Sequence, residues 1–223
     1  MVPIKRLWEI FEVTAVFICA YILMTVRLFH NRETVILASN SPRRRELLNG
    51  LGIDFSIEAA EVDETPYSFE NPEDFAARMA GAKTEIPAKR HPRAWIIGAD
   101  TVVTIAGEIL GKPGNRLRSL EMLRELNDGI HTVYTAFCLR HQAQDITVSK
   151  ISRTEVRFNR LPDTVLQAYV RTGEPLDKAG GYGIQGIGSF LVREIAGSCT
   201  GVIGLPMGHL VSCLLKYDVI EPV

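Results

Sequence analysis

Residues 34–42 read TVILASNSP, an apolar β-rich run that stops at small polar residues and a proline. Thr34–Ala38 suits a buried strand. Ser41 with Pro42 is a helix-start signal, because proline lacks only an N–H that the first helical turn leaves unused. Leu47, Leu48 and Leu51 then supply a buried stripe, and Gly50 or Gly52 ends the helix. A buried strand that runs into a helix within a few residues points to a layered α/β architecture.

The same alternation continues downstream. Ile53–Ile57 reads as a short strand and Glu58–Glu64 as an acidic loop. Asn71-Pro72 opens a second helix, with Glu73 and Asp74 at the positive end of its dipole. Phe75, Met79 and Lys83 then share one helical face. Ala94–Gly98 reads as a buried strand ending at Asp100, and Thr101–Ile105 continues it across a bend. Leu117, Leu120, Leu123 and Leu126 mark a third helix, closed by Asn127-Asp128-Gly129. His131–Arg140 and Ile146–Phe158 are β-rich and joined by the polar Gln142–Asp145, the pattern of a hairpin. Pro162-Asp163 opens a fourth helix that Gly173 closes. A glycine-rich loop follows, then a strand at Phe190–Ile195, another near Val202-Ile203, and a last helix over about Met207–Tyr217. There are no repeats, low-complexity tracts or linkers, so we expect one α/β domain with room for two lobes around a cleft.

With 25 Lys+Arg against 26 Asp+Glu the net charge is −1, which argues against a protein that coats nucleic acid. Any handling of phosphate must therefore rest on a local concentration of basic residues. Cys19, Cys138, Cys199 and Cys213 are scattered and form no CxxC, as expected of reduced thiols in a cytoplasmic protein. The histidines (His30, His91, His131, His141, His209) show no metal-ligand spacing. No GxSxG elbow is present.

The N-terminus departs from this pattern. Val13–Val26 is a run of 14 uncharged residues, short of the roughly 18–20 that cross a bilayer. Its length fits a signal-peptide core behind Lys5 and Arg6. Glu9, Glu12 and the lack of a small-x-small cleavage site argue against that reading. Met24 offers a later start, leaving residues 1–23 as an upstream extension. We set residues 1–30 apart as a hydrophobic extension outside the fold, with no membrane role, and residues 31–223 as the domain.

Three segments carry chemistry. The first is SNSPRRR (39–45), where a helix opens with Arg43, Arg44 and Arg45 in its first turns. The free N–H groups there already favour an anion, and cations oppose the helix dipole, so a bound polyanion would explain the cluster. A solvated basic turn explains it equally well. The second is Asp100, an acid after the apolar IIGA, at the kind of sheet edge where α/β ligand crevices form. Such a carboxylate can hold Mg²⁺ or position water; a turn-capping aspartate is the plainer alternative. The third is EPLDKAGGYGIQGIG (174–188). Gly181, Gly183 and Gly186 match GxGxxG, yet no strand precedes and no helix follows, so a dinucleotide site is rejected. The glycines permit close backbone approach, and Gln185 can read a nucleobase edge. Lys83, Lys112 and the carboxylates Glu61, Asp63 and Glu64 are weaker signals, each read as solvated surface when taken alone.

Taken together, SNSPRRRELL (39–48), GADTVV (98–103), GEILGKP (107–113), EPLDKAGGYGIQG (174–186) and GLP (204–206) resemble the Maf family of nucleotide pyrophosphatases. The likeness runs from about Thr34 to the C-terminus. It implies a Maf/ITPase-like α/β fold: an elongated mixed β-sheet with flanking helices and a central cleft between two lobes. It further implies hydrolysis of a nucleoside triphosphate to the monophosphate and pyrophosphate with a divalent metal, Mg²⁺ or Mn²⁺, in a homodimer. The family's catalytic positions fall on Asp100, Glu64, Lys83 and Lys112, and its metal positions on Asp100 and Glu64. Its substrate-binding positions fall on Ser39, Arg43, Arg44, Thr101 and Gln185. DKAGGYGIQG is similar to the branch acting on dTTP and UTP, the branch acting on 7-methyl-GTP being the alternative. A nucleotide-sensing regulator of cell division without turnover is the rival from another class. The acid facing clustered cations favours the enzyme, because a binder needs no group to activate water.

Overall fold

The computed structural model describes residues 27–223. The hydrophobic run of residues 13–26, the start at Met24 and Cys19 lie outside the described residues.

In chain order the elements are β1 (Phe29–Asn31), β2 (Val35–Leu37), α1 (Pro42–Asn49), β3 (Ser56–Ile57), α2 (Pro72–Arg90), β4 (Trp95–Ile105), β5 (Glu108–Leu110) and α3 (Arg116–Leu126). The second half adds β6 (Ile130–His141), β7 (Ile146–Phe158), α4 (Asp163–Arg171), β8 (Val192–Ala196), α5 (Cys199–Ile203), α6 (Met207–Lys216) and β9 (Ile220–Pro222). Between α4 and β8 the chain runs through three 3-10 turns, Glu174–Asp177, Ala179–Gly181 and Ile187–Leu191.

The sheet is mixed and elongated. Its strands lie in the order β3-β2-β4-β6-β7-β8, with β5 paired to β4 off that path. β2 runs parallel to both β3 and β4, whereas β4, β6, β7 and β8 are antiparallel neighbours. The β6–β7 hairpin follows the expected link, with His141 opposite Ile146.

β4 is the spine of the molecule. Trp95, Ile97 and Ala99 belong to a core with Leu37, Leu48 and Leu210, while Val103 belongs to a second core with Met122, Leu126, Phe158 and Tyr169. Each core buries apolar area against helices at its own end of the sheet. Val35–Leu37 of β2 pairs with Trp95–Ile97, and β5 pairs with Val103–Ile105. Between those two partners the middle of β4 has an open edge, and the cleft forms there.

Several expectations change. Asp100 does not end a strand; it sits inside the continuous 11-residue β4, where an open edge makes room for a charge. The strand expected near Val202-Ile203 is the short helix α5, because the Ser198 side chain caps it by accepting from the Gly201 N–H at 3.0 Å. Pro42 does open α1, but the Ser41 side chain makes no cap hydrogen bond; Ser39 Oγ accepts from the Ser41 N–H instead. The domain boundary at residues 30 and 31 cuts through β1. Phe29 is buried in the first core and pairs with Pro222, so the fold begins ahead of residue 31.

Candidate active site

The cleft is a cavity of about 890 Å³. Its wall includes Ser39, Arg43, Arg44, Glu64, Lys83, Asp100, Thr101, Lys112 and Gln185, which are all nine of the positions the family resemblance assigns. Arg45 does not line it, and neither do Glu61 or Asp63, so Glu64 is the acidic-loop carboxylate that joins Asp100.

Backbone geometry places Lys83 beside Asp100. Gly98 lies two residues before Asp100, on the same face of β4. A Cβ at Gly98 would come 2.4 Å from the Ala80 carbonyl and 2.6 Å from Thr84 Cγ2. Only glycine lets α2 dock this closely, and α2 carries Lys83. The Asn71 side chain starts that helix by accepting from the Asp74 N–H at 2.9 Å. Lys83 Nζ then donates to Asp100 Oδ1 at 2.6 Å and lies 2.7 Å from Glu64 Oε1. One ammonium thus bridges two carboxylates.

Burial pushes the Asp100 carboxyl above the ordinary aspartate range, against the pull of Lys83 and Arg44. Glu64 also feels burial, but Lys83, Lys112 and Arg44 outweigh it and hold its carboxyl low. The two acids are therefore driven apart, one toward proton exchange and one toward permanent charge.

Arg44 is buried and forked. Nε donates to the Gly204 carbonyl at 2.8 Å, and one terminal nitrogen donates to Ser39 Oγ at 3.0 Å. The other donates to Thr101 Oγ1 at 3.4 Å. Burial lowers its pKa, and Asp100 and Glu64 offset only part of that loss, to which Arg43 adds. Arg44 therefore joins α1, β2, β4 and the α5–α6 link, and fixes the shape of the cleft floor. Arg43 stands freer at the rim, 3.6 Å from Asp177 Oδ2. Lys112 and Gln185 are exposed and line the cavity.

Sequence reasoning gave no role to Thr135, Asp177 or Glu174. Thr135 Oγ1 lies 3.2 Å from Thr101 Oγ1 and donates to the Gly201 carbonyl at 2.8 Å. Asp177 accepts from Lys178 Nζ at 2.7 Å while facing Arg43. The wall also has an apolar part, formed by Val103, Ile109, Leu110 and the Tyr182 ring.

Arginines, lysines, two carboxylates and an apolar patch around one cavity suit a ligand with a polyphosphate and a flat ring. Residues 34–217 match the family model described as Maf-like protein. The chain belongs to the Maf family. Maf relatives of high similarity include a dTTP/UTP pyrophosphatase of Desulfotalea psychrophila, 45% identical over 85% of this chain and 97% of that one. A protein of the same name from Syntrophus aciditrophicus is 44% identical, over 82% of this chain and 89% of that one. A third, from Oleidesulfovibrio alaskensis, is 46% identical over 84% and 87%. The Maf match begins at residue 34, and no helix among the described residues is long and apolar enough to cross a membrane.

Proposed function

We propose that this Maf chain is a nucleoside triphosphate pyrophosphatase that hydrolyses dTTP and UTP to the monophosphate and pyrophosphate. The observation that carries the reading is the buried Asp100 carboxylate with Lys83 on it, sharing one cavity with Arg43 and Arg44. Arg43, Lys83 and Lys112 neutralise the triphosphate, with Arg44 behind them. Asp100 orients the attacking water and takes its proton as the bond between the α and β phosphates breaks and pyrophosphate leaves. Its raised pKa makes it a better base, and the ammonium of Lys83 keeps it ionised for the task. Catalysis is then mainly positioning and electrostatics. Thr101 and Gln185 select the pyrimidine.

Asp100 and Glu64 fit a divalent ion. Their oxygens already share one cation, the Lys83 ammonium. Mg²⁺ characteristically takes one or two carboxylates plus substrate phosphate oxygens. Among the described residues no group of three or more His, Cys, Asp and Glu could hold a metal by itself. When bound, Mg²⁺ or Mn²⁺ would supply charge neutralisation of the phosphates. We further take the protein to be a cytoplasmic homodimer. The free thiols of Cys138, Cys199 and Cys213 support the compartment, and the family likeness supports the assembly.

The test is pyrophosphate release by the purified protein from dTTP, UTP and 7-methyl-GTP, with Mg²⁺, with Mn²⁺ and with EDTA. The expected result is metal-dependent turnover of dTTP and UTP, lowered about 10²–10³-fold or more in Asp100→Asn with nucleotide binding retained. Preference for 7-methyl-GTP, binding without pyrophosphate, or full activity of Asp100→Asn would each refute the assignment.

A further inference from the structure

Gln185 stands on an exposed loop, and a loop selects a base only when it holds one shape. The strip Gly183–Gly188 is held at both ends by two side chains outside it. The Gly183 N–H donates to the Tyr169 hydroxyl at 3.2 Å. The Ile187 N–H donates to Glu174 Oε2 at 2.9 Å and the Gly188 N–H to Glu174 Oε1 at 3.0 Å. The Tyr169 hydroxyl itself donates to Glu174 Oε1 at 3.0 Å, which joins the two grips into one. The strip lies tight against them: a Cβ at Gly188 would fall 2.4 Å from the Tyr169 hydroxyl oxygen. Ile184, Gln185 and Gly186 are carried between the grips, and the first two line the cavity.

Glu174 also opens the 3-10 turn that ends at Asp177, the residue facing Arg43. Lys178 Nζ closes that turn by donating to the Glu174 carbonyl at 2.6 Å and to Asp177 Oδ1 at 2.7 Å. One short segment therefore touches the phosphate-facing helix at one end and the base-facing strip at the other. A carboxylate is suited to the second job, since it accepts only and its charge strengthens each bond.

We propose that Glu174 is a positioning residue that fixes the 183–188 strip in the shape that presents Gln185 to the nucleobase, and so sets base selectivity without touching substrate. The proposal rests on the assignment of Gln185 to pyrimidine selection made above. Glu174→Gln replaces one acceptor oxygen with an amide N–H₂ in a niche that already holds three donors. The strip loses a tie while the phosphate half of the site stays intact.

The experiment measures kcat and KM of wild type, Glu174→Gln and Tyr169→Phe on dTTP, UTP and dGTP, with inhibition by pyrophosphate as a probe of the phosphate half. In Glu174→Gln the KM for dTTP and UTP is expected to rise about tenfold with kcat nearly unchanged. The preference for dTTP over dGTP should fall by a similar factor, and pyrophosphate inhibition should hold. Tyr169→Phe keeps the ring against Phe190 and loses only the hydroxyl, so the same shift is expected at about threefold. Unchanged selectivity in the variants overturns the proposal, as does an equal loss on all three nucleotides with weakened pyrophosphate inhibition. If Glu174→Gln does not fold, Tyr169→Phe decides. A wild type that turns over none of these nucleotides brings down the pyrophosphatase reading itself, and the role of Glu174 with it.

Discussion

Lys83 is the residue whose removal tests the electrostatics of the site most directly. Its side chain is 13% exposed, that of Asp100 14%, and the two are 2.6 Å apart. Lys83→Met keeps the length of the stem and deletes the charge, so Asp100 must choose between two costs. Staying ionised without its partner costs about 3–5 kcal/mol, the usual penalty for an orphaned buried charge. Taking a proton costs about 1.4 kcal/mol for each pH unit above the ordinary value of about 3.9, hence about 1.5 kcal/mol at pH 5 and about 5.6 kcal/mol at pH 8. Protonation is the smaller cost at pH 5 and ionisation at pH 8. The expected loss of stability is therefore about 1.5 kcal/mol at pH 5 and about 3–5 kcal/mol at pH 8. These are upper bounds, because burial already raises wild-type Asp100. The sign follows from linkage. A carboxyl whose folded pKa exceeds its unfolded one binds more protons when folded, so stability declines as pH rises through that window. Urea denaturation of both proteins at the two pH values measures it, and the acid limb of kcat/KM should move upward in parallel. A penalty that is the same at both pH values, or larger at pH 5, would refute the reasoning.

Two further outcomes are expected. Arg44→Lys can satisfy one of the three acceptors that the guanidinium now holds. It should cost about 1–3 kcal/mol and raise KM about tenfold or more, and a loss below about 0.5 kcal/mol in denaturation would refute the fork's structural role. Buried His131, against Tyr182 Oη at 2.7 Å, has its pKa lowered to about 4 by burial. Its unfolded form charges near pH 6.5 while the folded form resists, so stability contributed above that value is lost as pH falls toward 4, on the order of 3 kcal/mol in all. The wild-type stability curve should be steeper than that of His131→Gln across this range, and parallel curves would remove His131 from the acid response.

The parts of the fold legible in the sequence are those with a local cause. Pro42 and Asn71-Pro72 open helices where proline and an acceptor side chain suit a first turn, and both helices begin there. The β6–β7 hairpin was visible because two β-rich runs flank a short polar link. Elements stabilised from elsewhere were not visible. β1, β5 and β9 are three residues each, too short for a period; β1 and β9 exist because they pair with each other from opposite ends of the domain, and β5 because it folds back on β4 through Ala106-Gly107. Cys199–Ile203 has an apolar, partly β-branched end that reads as strand, and the Ser198 cap decides otherwise. Asp100 broke an apolar run and so read as a terminus, because a sequence does not say where a sheet leaves an edge open.

The site divides along the same line. Charged residues in unusual surroundings betrayed themselves, which is why Arg44 and Asp100 stand out before any coordinates, whereas Glu64, one of three loop carboxylates, is named only through the family resemblance. Residues that act by holding others, namely Gly98, Thr135, Glu174 and Asp177, carry no local signature, since their partners lie in other segments. What makes the charged residues a site is one number, the register of β2 on β4. Val35 pairs with Trp95 and Leu37 with Ile97, a constant offset of 60. Continued by two residues, that offset brings Ser39 level with Ala99, beside Asp100 and Thr101, so that Arg44, one turn into α1, folds back onto them. A slip of two residues would keep every apolar side chain of VIL and WII buried on its own face while carrying the arginines about 7 Å from the acid. Both runs are uniformly apolar, so the register is set by what surrounds them: the Gly98 contact with α2, the Ser39–Arg44 bond and the Gly204 carbonyl that receives Nε. The contacts that set the strand register are in this sense the ones that assemble the cleft.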